Sequence, residues 1–299
     1  MISDWPDALN LGPVTVLSGH ERGKYPHGNS VLVQGTRETV LFDPSLTIAE
    51  LGAPKGIDHV VLSHVHEDHI PGLSVIPDVP VHCHEADALG LRSLDELMEI
   101  YGMPPEIEAT FRQEVVTDFY YAPRSEIRTF VDGASFDLGG VTIEVMHMPG
   151  HTRGHCALIV PEARAAYLGD IELTGFGPYY GDAWSSLEDF ETSIQKCKTI
   201  DADHFITFHH KWVISDRELL HGMLDEFQAV IDRREVAMLE FLAEPRTIAD
   251  CAEHRFVYRP HVEISFLQSV ETRCATQHID RFVRQGRATE IEPDLYRAS

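Results

Sequence analysis

The stretch SHVHEDH, residues 63–69, places three histidines and two acids directly after the apolar run IDHVVL at 57–62. Histidines two apart at a strand end point the same way, so His64 and His66 can face one ion. Asp68 and His69 follow after the chain bends and can face a neighbouring position. A two-metal arrangement then needs further ligands, one of them able to bridge. The chain offers three more segments of suitable type: MPGHTRGH with His151, YLGD with Asp170, and ITFHH with His209 and His210. Imidazole and carboxylate donors suit Zn²⁺ and also admit iron or manganese. Held with an open position, such ions make a nucleophile of water near neutral pH without a serine or cysteine.

All four segments stand where strands are expected to stop. VTVLSG (14–19), NSVLVQG (29–35) and TVLFDP (39–44) read as strands bounded by Gly, Pro and Asp. IDHVVLSH, PVHCH (80–84) and RTFVDGASFDLGGVTIEVMHMPGH continue the strand pattern, the last with a hairpin turn at Gly139–Gly140. HCALIVPEARAAYLGD supplies two more strands, SLEDFETSIQKCKTI a helix and HFITFHH a final strand. Residues 86–130 read as a mostly helical insert, a candidate cap. From about 216 the pattern changes to amphipathic helices, so the boundaries are set at a β-rich α/β domain over 1–214 and a helical appendix over 215–299.

Composition narrows the function. The chain has 299 residues with 24 Lys plus Arg against 48 Asp plus Glu, a formal charge of −24, which disfavours a nucleic-acid partner. Five scattered cysteines, none in a Cys-x-x-Cys pair, fit free thiols in a reducing compartment. The start MISDWPDALNLGP has neither the basic nor the apolar region of a signal peptide, and no apolar run nears the roughly 20 residues of a membrane span. These features predict a soluble, cytoplasmic protein acting on a small molecule, with a homodimer compatible.

The ligand segments together resemble the metallo-β-lactamase fold superfamily of metal-dependent hydrolases, within it the glyoxalase II and lactonase-like branch. HVHEDH fits its His-x-His-x-Asp-His motif, PGHTRGH its second metal segment, LGD its bridging aspartate and TFHH its last histidine. The upstream GNSVLVQGTRETVLFDPS resembles its opening strand pair, but DPS stands where members usually carry Asp-Thr-Gly or Asp-Ser-Gly. The match covers roughly residues 14–215. It implies an α/β fold of the α+β kind, a four-layer αββα sandwich, and commonly two zinc ions. Carried over, His64, His66 and His151 would bind one metal, and Asp68, His69 and the last histidine the other, with Asp170 bridging. The family's ligand usually follows a glycine; here His209 takes that glycine's place, which puts His210 first as the ligand and leaves His209 as the alternative. Asp68 or Asp170 would relay the proton to the leaving group. The appendix resembles the winged-helix-like C-terminus of some such hydrolases, but without a dense basic face it is expected to pack, dimerise or close the cleft.

Other residues keep two readings. IELTGFGPYYGDAW follows Asp170 directly, and its Tyr179, Tyr180 and Trp184 form either a substrate wall or ordinary core. His82 and His84 share a strand face but find no further ligands, which favours packing. His155 reads as a support for the site, and His20 and His27 as surface-loop residues. The function expected is hydrolysis of an ester, thioester or lactone by metal-bound hydroxide. The rivals are a two-metal phosphodiesterase, a mononuclear iron oxygenase using His64, His66 and Asp170, and a non-catalytic binding module.

Overall fold

The computed structural model describes residue 5 and residues 7–299. Two sheets form its centre. The first takes β1 (Ala8–Leu11), β2 (Val14–Leu17), β3 (Ser30–Gln34), β4 (Thr39–Phe42), β5 (His59–Val61), β6 (Val81–His84) and β7 (Ile127–Phe130), in that spatial order. Its first four strands are antiparallel and its last four parallel, with the switch at β4. Between them stand α1 (Leu46–Leu51), α2 (Leu94–Tyr101) and α3 (Pro105–Thr117). The second sheet takes β8 (Ser135–Asp137), β9 (Thr142–His147), β10 (Cys156–Val160), β11 (Ala165–Tyr167), β12 (His204–Ile206) and β13 (Val213–Ile214), with α4 (Leu187–Cys197) before β12. The sharp β8–β9 turn carries Gly139 and Gly140 at φ +86° and +77°, conformations that favour glycine.

Three buried clusters account for a four-layer αββα architecture. Val16, Val31, Val33 and Phe42 of the first sheet meet Val145, Leu158 and Tyr167 of the second. Alternation then sends Leu32, Leu41 and Val60 outward onto Ile48, Leu97, Ile100 and Phe111 of α1–α3. On the other side Ala157, Ala166 and Phe205 meet Phe190 and Ile194 of α4 and residues of the C-terminal helices. Each sheet is therefore buried on both faces, as the apolar runs in the sequence require.

The C-terminal region comprises α5 (Arg217–Phe241), α6 (Ile248–His254), α7 (Leu267–Arg284) and a hairpin of β14 (Ala288–Glu292) and β15 (Leu295–Ala298). It has a small core of its own around Met238, Cys251, Ile279 and Phe282. It also joins the main body, because Leu220, Leu224 and Phe227 of α5 and Val270 and Cys274 of α7 pack into the α4 cluster. Among the described residues no helix is long and apolar enough to cross a membrane.

A buried ionic clamp ties these helices together. Glu235 on α5 accepts from Arg281 at 3.1 Å and Arg287 at 2.5 Å, and Arg281 also reaches Glu191 on α4 at 2.5 Å. Burial works to raise the Glu235 carboxyl, but His278, Arg287 and Arg281 outweigh it and pull it down to about 2. A carboxyl whose folded value is depressed stabilises the fold above its ordinary value and ceases to do so as pH falls through the folded one. Glu235→Gln should therefore cost about 2 kcal/mol of stability near pH 7, a partner left without its counter-charge. In denaturant titrations the gap from the unaltered protein should close between about pH 4.5 and 2; a gap independent of pH would refute the clamp.

Candidate metal centre

The loops after β5, β9, β11 and β12 meet at one rim of the sandwich, and the contacts made by one ring nitrogen of each histidine leave the other nitrogen facing inward. His151 Nδ1 lies 3.0 Å from the Tyr179 carbonyl, which can only accept, so the proton is on Nδ1 and Nε2 presents a lone pair. Ser63 donates its hydroxyl to Asp43, so it accepts from His64 Nδ1 at 3.1 Å and leaves His64 Nε2 bare. His66 Nε2 lies 3.2 Å from Asp182 Oδ2, close enough to hold its proton there although poorly aligned as a hydrogen bond. The three free lone pairs converge: His66 Nδ1 is 3.1 Å from His64 Nε2 and 3.0 Å from His151 Nε2. Asp170 Oδ2 stands 3.2 Å from His151 Nε2. Nothing in this set donates to anything else.

A second set adjoins the first. His69 donates from Nδ1 to Asp43 at 2.8 Å, which turns its Nε2 to Asp170 Oδ1 at 3.0 Å and Asp68 Oδ1 at 3.9 Å. His209 donates from Nδ1 to the Gly23 carbonyl at 2.7 Å and lies 3.1 Å from that of His27, which turns its Nε2 to Asp68 Oδ2 at 2.9 Å. Asp170 thus turns one oxygen to each set. His64, His66, His151 and Asp170 form one group with metal-ligand spacing, and Asp68, His69 and His209 another, all buried. Lone pairs facing lone pairs and carboxylates repel unless a cation lies among them, so the donor sets fit two metal ions.

Charge preferences show where positive charge is needed. Burial, then His69, His66 and His151, hold the His64 imidazole well below its ordinary value. Burial opposes ionisation of Asp170, but His69 and His209 carry it well below the carboxylate range. Burial likewise opposes charge on His209, yet Asp170 and Asp68 push it up to about 10. Two ionised carboxylates amid buried imidazoles demand positive charge, which bound cations supply while releasing protons.

The last ligand corrects the sequence expectation. His209, not His210, enters the second set; His210 is exposed at φ +61°. β12 stops at Ile206, so strand alternation does not carry through to the histidine pair. Phe208 stacks on His69 with centroids 3.6 Å apart, and the chain then turns at a left-handed His210. The aromatic wall is corrected too. Of Tyr179, Tyr180 and Trp184, only Tyr179 lines the cavity above the ligands. Tyr180 is fully buried, between His278 at 2.9 Å and Arg234 at 3.0 Å, and Trp184 is core, under the Arg153 guanidinium.

The cavity measures about 340 Å³. Tyr101, Met103 and Phe111 come from the helical insert, Phe176 and Tyr179 from the loop after Asp170, and Tyr258, Val262, Ile264 and Phe266 from the α6–α7 connection. Among the described residues no Lys or Arg lines it. Sequence reasoning missed several residues here. Asp43, at φ +40° just past β4, holds Ser63, His69 and the Tyr167 hydroxyl. Its signal was the acid ending TVLFDP. Asp182 backs His66, and Glu67, unflagged inside its own motif, accepts from Tyr25 and Tyr101. Burial, then Asp68, raise the Glu67 carboxyl to about 7.

The remaining histidines have ordinary roles. His155 donates to the Met148 carbonyl and accepts from the Asp170 amide at 3.1 Å, fixing the bridging residue's backbone. His82 packs edge-on against His59 and Phe136, and His84 stacks on His147. His20 and His27 gather with Glu50 at the surface.

A family model described as the metallo-beta-lactamase superfamily matches residues 25–212. An uncharacterised protein of Mycobacterium tuberculosis (strain ATCC 25618 / H37Rv) is 35% identical over 107 residues; that match spans 35% of this chain and only 44% of the relative. An atrochrysone carboxyl ACP thioesterase of Claviceps purpurea is 26% identical over 261 residues, 82% of this chain and 70% of the relative. Acyl-coenzyme A thioesterase MBLAC2 of Gallus gallus is 29% identical over 194 residues, 58% of this chain and 68% of the relative. The crystal structure of a metallo-beta-lactamase family protein from Thermus thermophilus superposes with a TM-score of 0.71 at 23% identity, covering 96% of this chain and 99% of that one.

The geometry sets an order of metal loss. Purified protein should carry about two transition-metal equivalents per chain by elemental analysis. His209→Ala should lose one of them and His210→Ala neither. Asp170→Asn, which removes the shared carboxylate, should reduce both and lower turnover by at least roughly a hundredfold. Full metal content in His209→Ala would show that this imidazole is not a ligand.

Proposed function

The chain belongs to the metallo-beta-lactamase superfamily, and from that premise we propose that it is a metal-dependent hydrolase of acyl compounds: a thioester foremost, then an ester or lactone. The observation that carries the reading is the pair of donor sets, with Asp170 turning one oxygen to each, facing an aromatic cavity that no Lys or Arg lines among the described residues. Two of the relatives found bear thioesterase names, which supports placing the thioester first. Zinc fits the imidazole-rich donors, and iron or manganese fit them as well.

Two cations held by these residues would lower the pKa of a shared water to about 7 and polarise the acyl carbonyl. The chain's own residues arrange the rest. Asp170, fixed through its amide by His155, spans both positions and sets their separation. Asp68 is proposed to take the water's proton at Oδ1 and return it to the leaving group, while its Oδ2 stays in the second donor set beside His209. Phe111, Phe176, Tyr179 and Phe266 exclude bulk water and pack the acyl group. An anionic phosphodiester would enter this cavity past Glu67, Glu172 and Asp182 with no Lys or Arg to meet it, which disfavours that rival.

The test is a panel of acyl thioesters, aryl esters, lactones and an aryl phosphodiester at matched concentration. Thioester turnover should exceed the rest and vanish with a chelator, and zinc or manganese should restore it. Phosphodiester turnover above acyl turnover would overturn the reading, as would oxygen uptake with one tightly held iron.

A further inference from the structure

A second concavity of about 590 Å³ adjoins the cavity, and Phe176, Tyr258 and Val262 line both. It lies between α5 and the α6–α7 connection. Four of its thirteen lining residues are arginines and none is Asp or Glu, in a chain where acids outnumber bases 48 to 24. The first cavity has the opposite character, with carboxylates and no Lys or Arg. Neighbouring volumes of opposite charge suit a ligand with an uncharged end and an anionic end.

The arginines divide by role. Arg234 is buried and spent on structure, donating to the Pro178 and Phe176 carbonyls and to the Tyr180 hydroxyl. Arg255 uses Nη1 on the carbonyls of Pro260 and Val262, which fixes the guanidinium at the groove wall. Arg233 is exposed and held only by Glu226 at 3.8 Å. Arg259 is exposed and has no salt bridge among the described residues. Planar guanidinium groups bind phosphate through paired donors, and the arrangement offers at least two that are free to do so.

We propose that this groove binds the phosphates of the thiol carrier from which the acyl group is hydrolysed, a carrier of the coenzyme A type. The proposal rests on the hydrolase reading above and names its leaving group. The acyl end occupies the aromatic cavity, the thioester lies over the metal ligands, and the nucleotide end leaves past Phe176 and Tyr258 onto Arg233, Arg255 and Arg259. In the reaction the C–S bond breaks and a C–O bond forms from water. The acyl part leaves as a carboxylic acid, and the water's proton returns to sulfur as the free thiol.

Decanoyl-coenzyme A and decanoyl-N-acetylcysteamine share the thioester and differ in the phosphates. KM should be about tenfold lower for the coenzyme A thioester, a gain of the size charge-assisted phosphate contacts give. The preference should fall to within about twofold in the Arg233→Gln/Arg259→Gln double variant. It should persist in Arg297→Gln, an exposed arginine on β15 outside the groove. Calorimetry with free coenzyme A and with pantetheine measures the groove without turnover, and only the phosphorylated thiol should bind tightly. If neither thioester turns over but coenzyme A binds through Arg233 and Arg259, the hydrolase reading fails and the groove stands. Equal KM for both thioesters, or a preference that survives the double variant, overturns the groove and leaves the hydrolase. Stronger hydrolysis of a decanoyl-phosphopantetheinyl carrier protein than of the coenzyme A thioester overturns the choice of a small carrier.

Discussion

The structure turns on aiming one nitrogen of each of five imidazoles at a shared centre. A neutral imidazole has one donor and one acceptor, so pinning the donor on one side commits the lone pair to the other. Each candidate ligand is pinned from a different part of the fold: His64 by Ser63, His66 by Asp182, His69 by Asp43, His151 by the Tyr179 carbonyl and His209 by the Gly23 carbonyl. Removing any pin frees a ring to flip or to take the wrong tautomer, with metal losses of tens of fold typical for such supports. Much of the loop structure outside the sheets follows from this requirement.

The C-terminal helices belong to the same chain of constraint. Arg234 on α5 holds the carbonyls of Phe176 and Pro178 and the hydroxyl of Tyr180, and so fixes the loop whose Tyr179 carbonyl orients His151. Gln277 on α7 donates to the Tyr180 carbonyl at 2.7 Å and accepts from the Leu187 amide that opens α4. The appendix therefore acts on the centre through backbone carbonyls, and its α6–α7 connection also supplies a cavity wall. The geometry explains why α5 and α7 bury apolar residues against the main body as well as among themselves.

Six of the seven ligands proposed from sequence stand in the two sets, because His-x-His-x-Asp-His, Gly-His and Gly-Asp each end an apolar run that had to be a strand. The four layers were legible for the same reason: continuous apolar strands need cover on both faces. For the seventh, the structure brings His209 rather than His210 into the set. A period of two was extended past Ile206, where ladder pairing had ended and the stacking of Phe208 on His69 governed the turn. Tyr180 and Trp184 were unreadable differently, since an aromatic after a ligand serves wall or core according to helices far along the chain. Asp182 was invisible because a carboxylate that backs an imidazole needs no fixed spacing from it, and Asp43 showed only as the acid following TVLF.

The acidic composition takes on a local meaning at the centre. Asp43, Glu67, Asp68, Asp87, Asp170 and Asp182 are all buried there, and no Lys or Arg lines the cavity above them. Asp87 is held by Thr152 and the Gly154 amide, so it ties the loop of His151 to the loop after β6. So many carboxylates in one low-dielectric volume repel one another unless positive charge joins them. Imidazolium would meet that need only by consuming the lone pairs that the pins protect. Bound cations would meet it and leave every pin in place, so the charge balance and the hydrogen-bond directions both fit a metal site.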